Sequence, residues 1–380
     1  MIQQKHLNNF FKLFFLFTNL LFLYKYGIRQ DHIPMLILIT IYTLFCTLFL
    51  YLDIFEFSIL KKLNFNFLYI AICLLILVLI LFLTNTIDAN NLKVDRWSAM
   101  HVGIKAIFNG EYPYIATDHL KGRTSNFPGL LIIGMPFYLL GNVAYLQIFV
   151  FALLSYTLYN YLEIKKAFKF IFLLIISPAY WWEILAMSDL LSNIIIVFCF
   201  ILNVKKHFKK DIFKYSILLG ISTCFLALTR GIVWIPLILL VFRDFWFINN
   251  VSKIKYTIAF IITFLSLVVL VIINCPNFEI LKTYNPLILQ TSNLPNFVHT
   301  IAILLPFFIS FVIHKYKETF YSLSALLMLW PALLAFILCY IKYGFTDLIV
   351  KLKFDLSYLT LVFPFLIFTF IYTDKNAIQQ

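Results

Sequence analysis

The chain has 380 residues, of which 63% are hydrophobic and 12% charged, and its formal net charge at pH 7 is +13. A soluble domain carries roughly twice that charged fraction, so the composition excludes a soluble protein and predicts an all-α, polytopic membrane protein with helical spans. The basic residues lie in short clusters between apolar runs, which is typical of cytoplasmic loops and argues against a nucleic-acid-binding protein.

The predicted spans follow the apolar stretches, since about 17–25 apolar residues cross a bilayer as a helix. Residues 1–380 are predicted to form one integral membrane domain of about 11–13 spans, with external loops at 85–128 and 275–297. Several stretches are shorter than a crossing, and residues 128–141 and 177–187 are predicted to be half-length or re-entrant. The candidate spans are 10–26, 33–52, 67–84, 129–141, 144–162, 167–181, 188–204, 214–229, 231–247, 256–274, 298–313, 320–341 and 356–372.

The orientation follows from the basic segment KKHFKKDIFK at 205–214, the strongest marker of a cytoplasmic loop. Counting helices from it puts residues 177–189 outside, Arg230 at the outer face and Arg243 inside. The loop 275–297 also falls outside and is a second contributor to any external site.

A polar island at 88–128 interrupts the apolar sequence. Within it, residues 95–109 have helical periodicity and predict an amphipathic helix in the plane of the membrane interface. Gly110 is predicted to end that helix, and Pro113 prevents its continuation. The apolar face would carry Trp97, Met100, Ile104, Ile107 and Phe108, and the polar face Asp95, Ser98, His101, Lys105 and Asn109.

Asp95 stands at the start of this helix, and two interpretations of it remain open. A short carboxylate there can cap the free backbone N–H groups and favour the positive end of the helix dipole. Alternatively, Asp95 is a general base that takes a proton from an acceptor hydroxyl at the membrane surface.

The loop after the helix concentrates ionisable groups. It contains Asp118, His119, Lys121 and Arg123 between the segments Tyr112–Tyr114 and Asn126–Gly129. Its basic groups would meet anionic lipid head groups or hold a phosphate, for which arginine is suited by its paired donors.

Two patterns in this island resemble a known family. Asp95 is followed by Gly110-x-x-Pro113-Tyr114 and then by F-P-G-L-L-x-x-x-x-P from Phe127 to Pro136. This resembles the first external loop of GT-C glycosyltransferases of the polyprenol-dependent, mannosyltransferase-like branch, over about forty residues. The chain has Phe127-Pro128-Gly129 where that family often has Tyr-Pro-Pro. The resemblance implies a multi-helix membrane enzyme that uses a polyprenyl-phosphate sugar and an essential acidic residue in this loop.

Two later segments resemble the same family more weakly. Ser177-Pro178 followed by Asp189 is similar to a recurrent stretch near its active face, although a helix cap or an interhelical hydrogen bond also explains Asp189. Arg230 is the one charged residue between Lys214 and Arg243. An arginine at membrane depth costs roughly 2.5–3.5 kcal/mol on insertion scales. It therefore needs a partner, which is either an anionic ligand or a carboxylate such as Asp189.

The resemblance implies inverting sugar transfer at the external face, from a polyprenyl-phosphate donor to a lipid or glycan acceptor, with Asp95 as base. Cofactors are not predicted, no metal-ligand cluster stands in the sequence, and divalent-metal assistance remains open. A multi-pass protein of the bacterial inner membrane is expected, and an endoplasmic-reticulum membrane satisfies the same physics. The candidate donor-phosphate ligands are Arg230, His119, Arg123 and Lys121, and further site candidates are Tyr114, Glu111, Asp189 and His101.

Two other classes of function remain. A transporter or lipid flippase would place ionisable residues near mid-span, whereas here they stand mostly at span ends. An O-antigen polymerase or ligase would place an Arg- and His-rich external loop late in the chain, but the loop 275–297 carries only Glu279 and Lys282.

Overall fold

The computed structural model describes residues 2–52, 64–291, 294–313, 319–351 and 353–373. The protein is all-helical, with 78% of its residues in helices and no strand among the described residues. Residues 292–293 of the predicted second external loop lie outside the described part. Short 3-10 turns at Ala89–Asn91 and Gly231–Val233 precede two of the helices. The helices are α1 Ile2–Gly27, α2 Met35–Tyr51, α3 Phe65–Thr86, α4 Arg96–Phe108, α5 Pro128–Leu139, α6 Tyr145–Tyr161, α7 Ile164–Ile175, α8 Pro178–Leu185, α9 Leu190–His207, α10 Ser216–Ala227, α11 Trp234–Phe247, α12 Asn250–Ile272, α13 Phe278–Thr283, α14 Pro286–Thr291, α15 Asn296–Ile313, α16 Phe320–Ile349, α17 Ser357–Thr360 and α18 Phe363–Thr373.

Fewer helices than predicted are long enough to cross a membrane. Five of the described helices have the necessary length and apolar composition, and the bent pair α7–α8 raises the number to six. About 11–13 spans were predicted, and several of the predicted stretches form apolar helices of 10–17 residues. A 12-residue helix such as α5 or α10 rises only about 18 Å, against a hydrocarbon core of about 30 Å. The long apolar helices fit an integral membrane protein.

The two pieces predicted to be half-length are short or broken helices. α5 has 12 residues, and α7 and α8 meet at an angle of 67°. Pro178 lacks the N–H that would continue the α7 hydrogen-bond ladder. The Asn19 side chain stabilises the break, because its Oδ1 accepts from Ser177 Oγ at 2.5 Å and from the Ala179 N–H at 3.2 Å.

The chain divides into two compact units. The first comprises Met1–Ile80, Phe151–Leu185 and Glu318–Gln380, and the second comprises Leu81–Val150 and Ala186–Lys317. Aromatic side chains fill the core of the first unit, for example Phe15 and Phe363, whose ring centroids are 5.0 Å apart. Every candidate site residue from the sequence lies in the second unit.

A close backbone approach in the second unit joins the start of α5 to the end of α10. The Gly129 N–H donates to the Leu228 carbonyl at 2.7 Å, and the Phe127 N–H donates to the Thr229 carbonyl at 3.3 Å. A Cβ on Gly129 would lie 2.5 Å from the Phe225 carbonyl oxygen, so only glycine fits at this position. The contact brings Asn126 and Arg230, the next residues of the two segments, side by side.

A helix forms where the sequence predicted one, but the burial of its two faces differs from the prediction. α4 covers 96–108 of the predicted 95–109, and Gly110 follows it with a φ of 71°. The Glu111 N–H donates to the Ala106 carbonyl at 2.8 Å, which completes a glycine-type helix stop. However, Ser98 of the predicted polar face is buried, and Phe108 of the predicted apolar face is 51% exposed. α4 packs against α5, so contacts within the protein contribute to its burial.

Candidate functional site

Asp95 occupies the N-cap position of α4 without capping it through its side chain. Its backbone carbonyl accepts the Ala99 N–H at 2.7 Å and the Ser98 hydroxyl at 3.1 Å. The half-buried carboxylate accepts no hydrogen bond from the residues that the structure describes. The capping interpretation therefore does not account for this side chain, and its oxygens remain available to a ligand.

The basic loop is a tight hairpin that is held by Asp118. Thr117 and Arg123 form an antiparallel bridge, and Lys121 adopts the left-handed conformation with a φ of 65°. Asp118 Oδ1 accepts the N–H groups of Leu120 and Gly122 at 2.8 and 2.9 Å. This one carboxylate oxygen satisfies two loop donors and fixes the direction of the hairpin.

The second oxygen of Asp118 faces the carboxylate of Asp95 across Gly122. A Cβ on Gly122 would lie 2.6 Å from Asp118 Oδ2 and 3.3 Å from Asp95 Oδ2. Asp118 Oδ2 is buried and has no hydrogen-bond partner among the described residues. The glycine thus lets two carboxylates approach the same point, beside the exposed residue Lys121 and the neighbouring Arg123.

His119 holds the loop in place instead of facing outward. Its Nδ1 lies 2.6 Å from Ser98 Oγ, and its Nε2 lies 2.8 Å from the Leu92 carbonyl oxygen, to which it donates. Both ring nitrogens are therefore engaged, in contrast to the phosphate-binding role that the sequence suggested. His119 ties the hairpin to the start of α4 and so fixes the surroundings of Asp95.

Arg230 forms a buried ion pair with Asp189. Its Nη2 donates to Asp189 Oδ2 at 2.7 Å and to Asn126 Oδ1 at 2.6 Å. The two charged side chains are only 6% and 4% exposed, and the Arg230 Nε is also buried, without a hydrogen-bond partner among the described residues. The internal partner expected for Arg230 is thus Asp189. Asn126, which the sequence did not single out, completes the group.

A small cavity with both apolar and polar lining residues lies beside this ion pair. Its volume is about 10 Å³, and its lining includes Arg96, Gln147, Ser188 and Asp189, which suits about one water molecule. Arg96 follows Asp95 in the chain, so the cavity connects the start of α4 with the Arg230–Asp189 pair. Met187 adopts a φ of 48° next to Ser188. Strained backbone of this kind persists where packing fixes it and is frequent at functional sites.

The loop at 275–297, which the sequence predicted to be external, reaches the same region. Arg123 lies over the ring of Tyr284, with the guanidinium carbon 4.1 Å from the ring centroid. Gln290 Nε2 donates to the Ser125 carbonyl at 2.6 Å, and Gln290 Oε1 accepts the Gly231 N–H at 2.9 Å. The sequence predicted a contribution from this loop but not these residues, because neither belongs to a charged motif.

The remaining candidates have other surroundings. Tyr114 is buried in an apolar cluster with Tyr112 and Val271, and Glu111 is exposed. His101 stacks on Trp97 with ring centroids 4.8 Å apart. Burial, together with the nearby Lys105, lowers the pKa of His101. The structure does not bring these three side chains into contact with the Asp95–Asp118 pair.

An apolar cleft of about 400 Å³ lies between α10, α11, α12 and α15. Aliphatic and aromatic side chains form most of its wall, including Phe242, Phe245, Phe260, Phe264 and Phe307. It begins at Ala227 and Leu228, next to Arg230 in the chain, whereas Pro128 and Pro136 of α5 do not line it. The cleft has the composition of a site for a hydrocarbon chain.

The fold and these clusters define a helical protein that fits a membrane, with one polar region built from two loops. Within the described ranges, no three His, Cys, Asp or Glu side chains converge as a metal site. Comparison with known proteins finds no matching family model, no matching curated protein and no matching solved structure.

Proposed function

We propose that the protein transfers a sugar from a polyprenyl-phosphate donor to an acceptor hydroxyl, at the extracytoplasmic face of a bacterial inner membrane. The observation that carries this proposal is the Asp95 carboxylate, which does not cap its helix and lies beside a hairpin with cationic side chains. A general base next to a phosphate-binding surface is what transfer from a sugar phosphate needs.

In the proposed reaction, Asp95 accepts the proton of the acceptor hydroxyl while that oxygen attacks the anomeric carbon. The bond from this carbon to the phosphate oxygen breaks, so the configuration inverts and polyprenyl phosphate leaves with the bonding electrons. Cationic groups stabilise its charge, and such electrostatic stabilisation usually accelerates a reaction more than any other single effect. Divalent-metal assistance is not part of the proposed reaction.

The surroundings of the cationic residues change their order of preference. The Arg123 guanidinium donates no hydrogen bond to the described residues, and Arg123 is exposed. Lys121 is exposed in the same hairpin. Arg230 is already neutralised by Asp189, and both nitrogens of His119 are engaged. Arg123 and Lys121 are therefore the preferred phosphate ligands, and the Arg230 pair supports the loop that carries Asn126.

The apolar cleft supports a lipid-linked donor. A cleft with aliphatic and aromatic walls, in a protein whose long helices fit a membrane, suits an isoprenoid chain. Its end at Leu228 is joined by backbone hydrogen bonding to Gly129, close in the chain to Asn126. The donor would thus have its phosphate at the polar region and its chain in the cleft.

A transporter or flippase is the second candidate, and the buried Arg230–Asp189 pair favours it. Ionisable pairs inside a membrane domain often mark a substrate or proton path. The cleft and the basic hairpin have no direct use in a proton path, so sugar transfer remains the preferred function.

A donor panel separates these candidates. Purified protein in nanodiscs is given labelled polyprenyl-phosphate mannose, glucose and arabinose with a membrane glycolipid extract as acceptor, and release of polyprenyl phosphate is measured. Sugar transfer predicts acceptor-dependent release with at least one donor. Absence of release with every donor, together with ion- or lipid-coupled transport in reconstituted vesicles, would favour the transporter.

A further inference from the structure

The predicted second external loop forms a strap, here residues 277–291, that is bonded to the first loop. The Tyr112 hydroxyl donates to the Tyr284 carbonyl at 2.9 Å. Burial raises the pKa of Tyr112 to about 12, so this hydroxyl keeps its proton at neutral pH. Tyr284 and Ile280 also pack against the cluster that contains Tyr112 and Tyr114. The position of Tyr284 is thus fixed by its backbone and by its apolar neighbours.

The strap is fixed a second time through Gln290. The side-chain amide of Gln290 forms a hydrogen bond with the backbone of Ser125 at one end and with the backbone of Gly231 at the other. Ser125 and Gly231 are the chain neighbours of Asn126 and Arg230. Asn126 and Arg230 are themselves hydrogen-bonded at 2.6 Å. One side chain of the strap therefore joins both segments of the buried ion-pair group.

The guanidinium carbon of Arg123 lies over the ring of Tyr284, 4.1 Å from the ring centroid. A stacked guanidinium has its face covered, while its N–H donors point outward along its edges. The guanidinium N–H groups of Arg123 form no hydrogen bond with the described residues, and the residue is exposed. Paired N–H donors match the oxygens of a phosphate. An arginine at a surface is otherwise flexible, so the ring lowers the entropy that phosphate binding would cost.

We propose that Tyr284 is a positioning residue that holds Arg123 for the phosphate group of a lipid phosphate, so that the strap forms part of the donor site. The inference rests on the proposed function, because it assumes that this phosphate belongs to the polyprenyl-phosphate donor. The aromatic ring, not the hydroxyl, does the positioning, because the phenol oxygen makes no hydrogen bond to Arg123. Tyr284→Phe should therefore still position the Arg123 guanidinium, and Tyr284→Leu should not.

The test measures binding of farnesyl phosphate to the full-length protein in nanodiscs, with farnesol and inorganic phosphate as separate probes. Tyr284→Leu is expected to weaken farnesyl phosphate binding about three- to fivefold, which is the scale of an exposed cation–π contact. Tyr284→Phe should remain within about twofold of the native protein on the same scale. Farnesol binding should not respond to either variant, since it lacks the phosphate. If Tyr284→Leu weakens the binding of inorganic phosphate by the same factor as that of farnesyl phosphate, Tyr284 acts on the phosphate group alone.

A double-mutant cycle shows whether Tyr284 acts through Arg123. In the Arg123→Ala background, Tyr284→Leu should have no further effect on farnesyl phosphate binding. The matched control is Asn285→Ala, because the Asn285 side chain accepts the N–H of Leu287, at 2.9 Å, within the strap itself. An equal loss from Tyr284→Leu in both backgrounds would overturn the inference, as would a loss in Tyr284→Phe equal to that in Tyr284→Leu.

The outcomes also separate this inference from the proposed function. Arg123- and Tyr284-dependent phosphate binding without sugar transfer from any donor would contradict sugar transfer and leave the inference standing. If the protein transfers sugar but Tyr284→Leu binds farnesyl phosphate as tightly as the native protein does, only the inference is contradicted.

Discussion

Arg230 and Asp189 are both charged and almost fully buried. Each neutralises the charge of the other, so the stability of the folded protein depends on both. Removing one partner of a buried pair leaves an uncompensated charge and costs about 3–5 kcal/mol. Arg230→Ala is therefore expected to lower the free energy of unfolding by about that amount, measured as a lower melting temperature in detergent. Asp189→Asn should have the same direction of effect.

The matched control for this prediction is Arg243→Ala. Arg243 pairs with Asp244 at 3.2 Å, but the two side chains are 24% and 45% exposed. Exposed pairs contribute about 0–1 kcal/mol, so the melting temperature should hardly change. A drop in Arg243→Ala equal to that in Arg230→Ala would contradict the assigned importance of burial.

The sequence indicated some residue roles better than others. The isolation of Arg230 among apolar residues was a sufficient signal that it has a partner, and Asp189 is that partner. The role of His119 could not be predicted, because its partners Ser98 and Leu92 are 21 and 27 residues away. The hairpin geometry that creates those contacts depends on Asp118 and on the left-handed backbone of Lys121.

Among the elements, α4 shows how far periodicity alone can be used. Its ends were predictable because Gly110 and Pro113 interrupt a helical pattern, and the observed helix covers Arg96–Phe108. Its burial was not predictable, because Ser98 faces His119 and because α5 covers part of the helix. A polar residue with a distant partner has the same local pattern as one that faces water.

α4 also gives a pH prediction through His101. Burial lowers the pKa of His101 in the folded protein, whereas the unfolded value is about 6.5. Below that pH the unfolded state binds more protons at this residue, so its contribution favours unfolding as the pH falls. We expect the melting temperature of the native protein to fall more steeply between about pH 7.5 and 5.5 than that of His101→Phe, since the transition lies near the unfolded value. Equal slopes for the two proteins would contradict this.

For the whole molecule, the class of protein was predictable and the lengths of the helices were not. Composition alone indicated helices in a membrane, because 63% of the residues are hydrophobic, and the long apolar helices fit that class. Apolar character did not reveal that α5 and α10 end after 12 residues. Gly129 lets the start of α5 meet the end of α10 at the backbone. The hydropathy of the sequence does not indicate such a contact.

The orientation of the second unit can be tested by cysteine labelling. Lys121 and Lys282 lie on the two loops of the candidate site, and Lys209 belongs to the basic segment at 205–214. In a cysteine-free background, an impermeant maleimide on intact cells should label Lys121→Cys and Lys282→Cys. Lys209→Cys should react only after the membrane is permeabilised, because basic loops stay in the cytoplasm. Labelling of Lys209→Cys and Lys121→Cys from the same side would contradict this orientation.

The central claim is that Asp95 acts as the base in sugar transfer, and Asp95→Asn tests it most directly. Asparagine keeps the shape of the side chain and caps helices as well as aspartate does, but it cannot accept the proton. With an accepted donor, we expect the transfer rate to fall about 10²–10⁴-fold at an unchanged melting temperature. Asp88→Asn is the matched control, because Asp88 caps a nearby 3-10 turn through its side chain and should keep the native rate. A folded Asp95→Asn protein that transfers sugar at the native rate would contradict the claim.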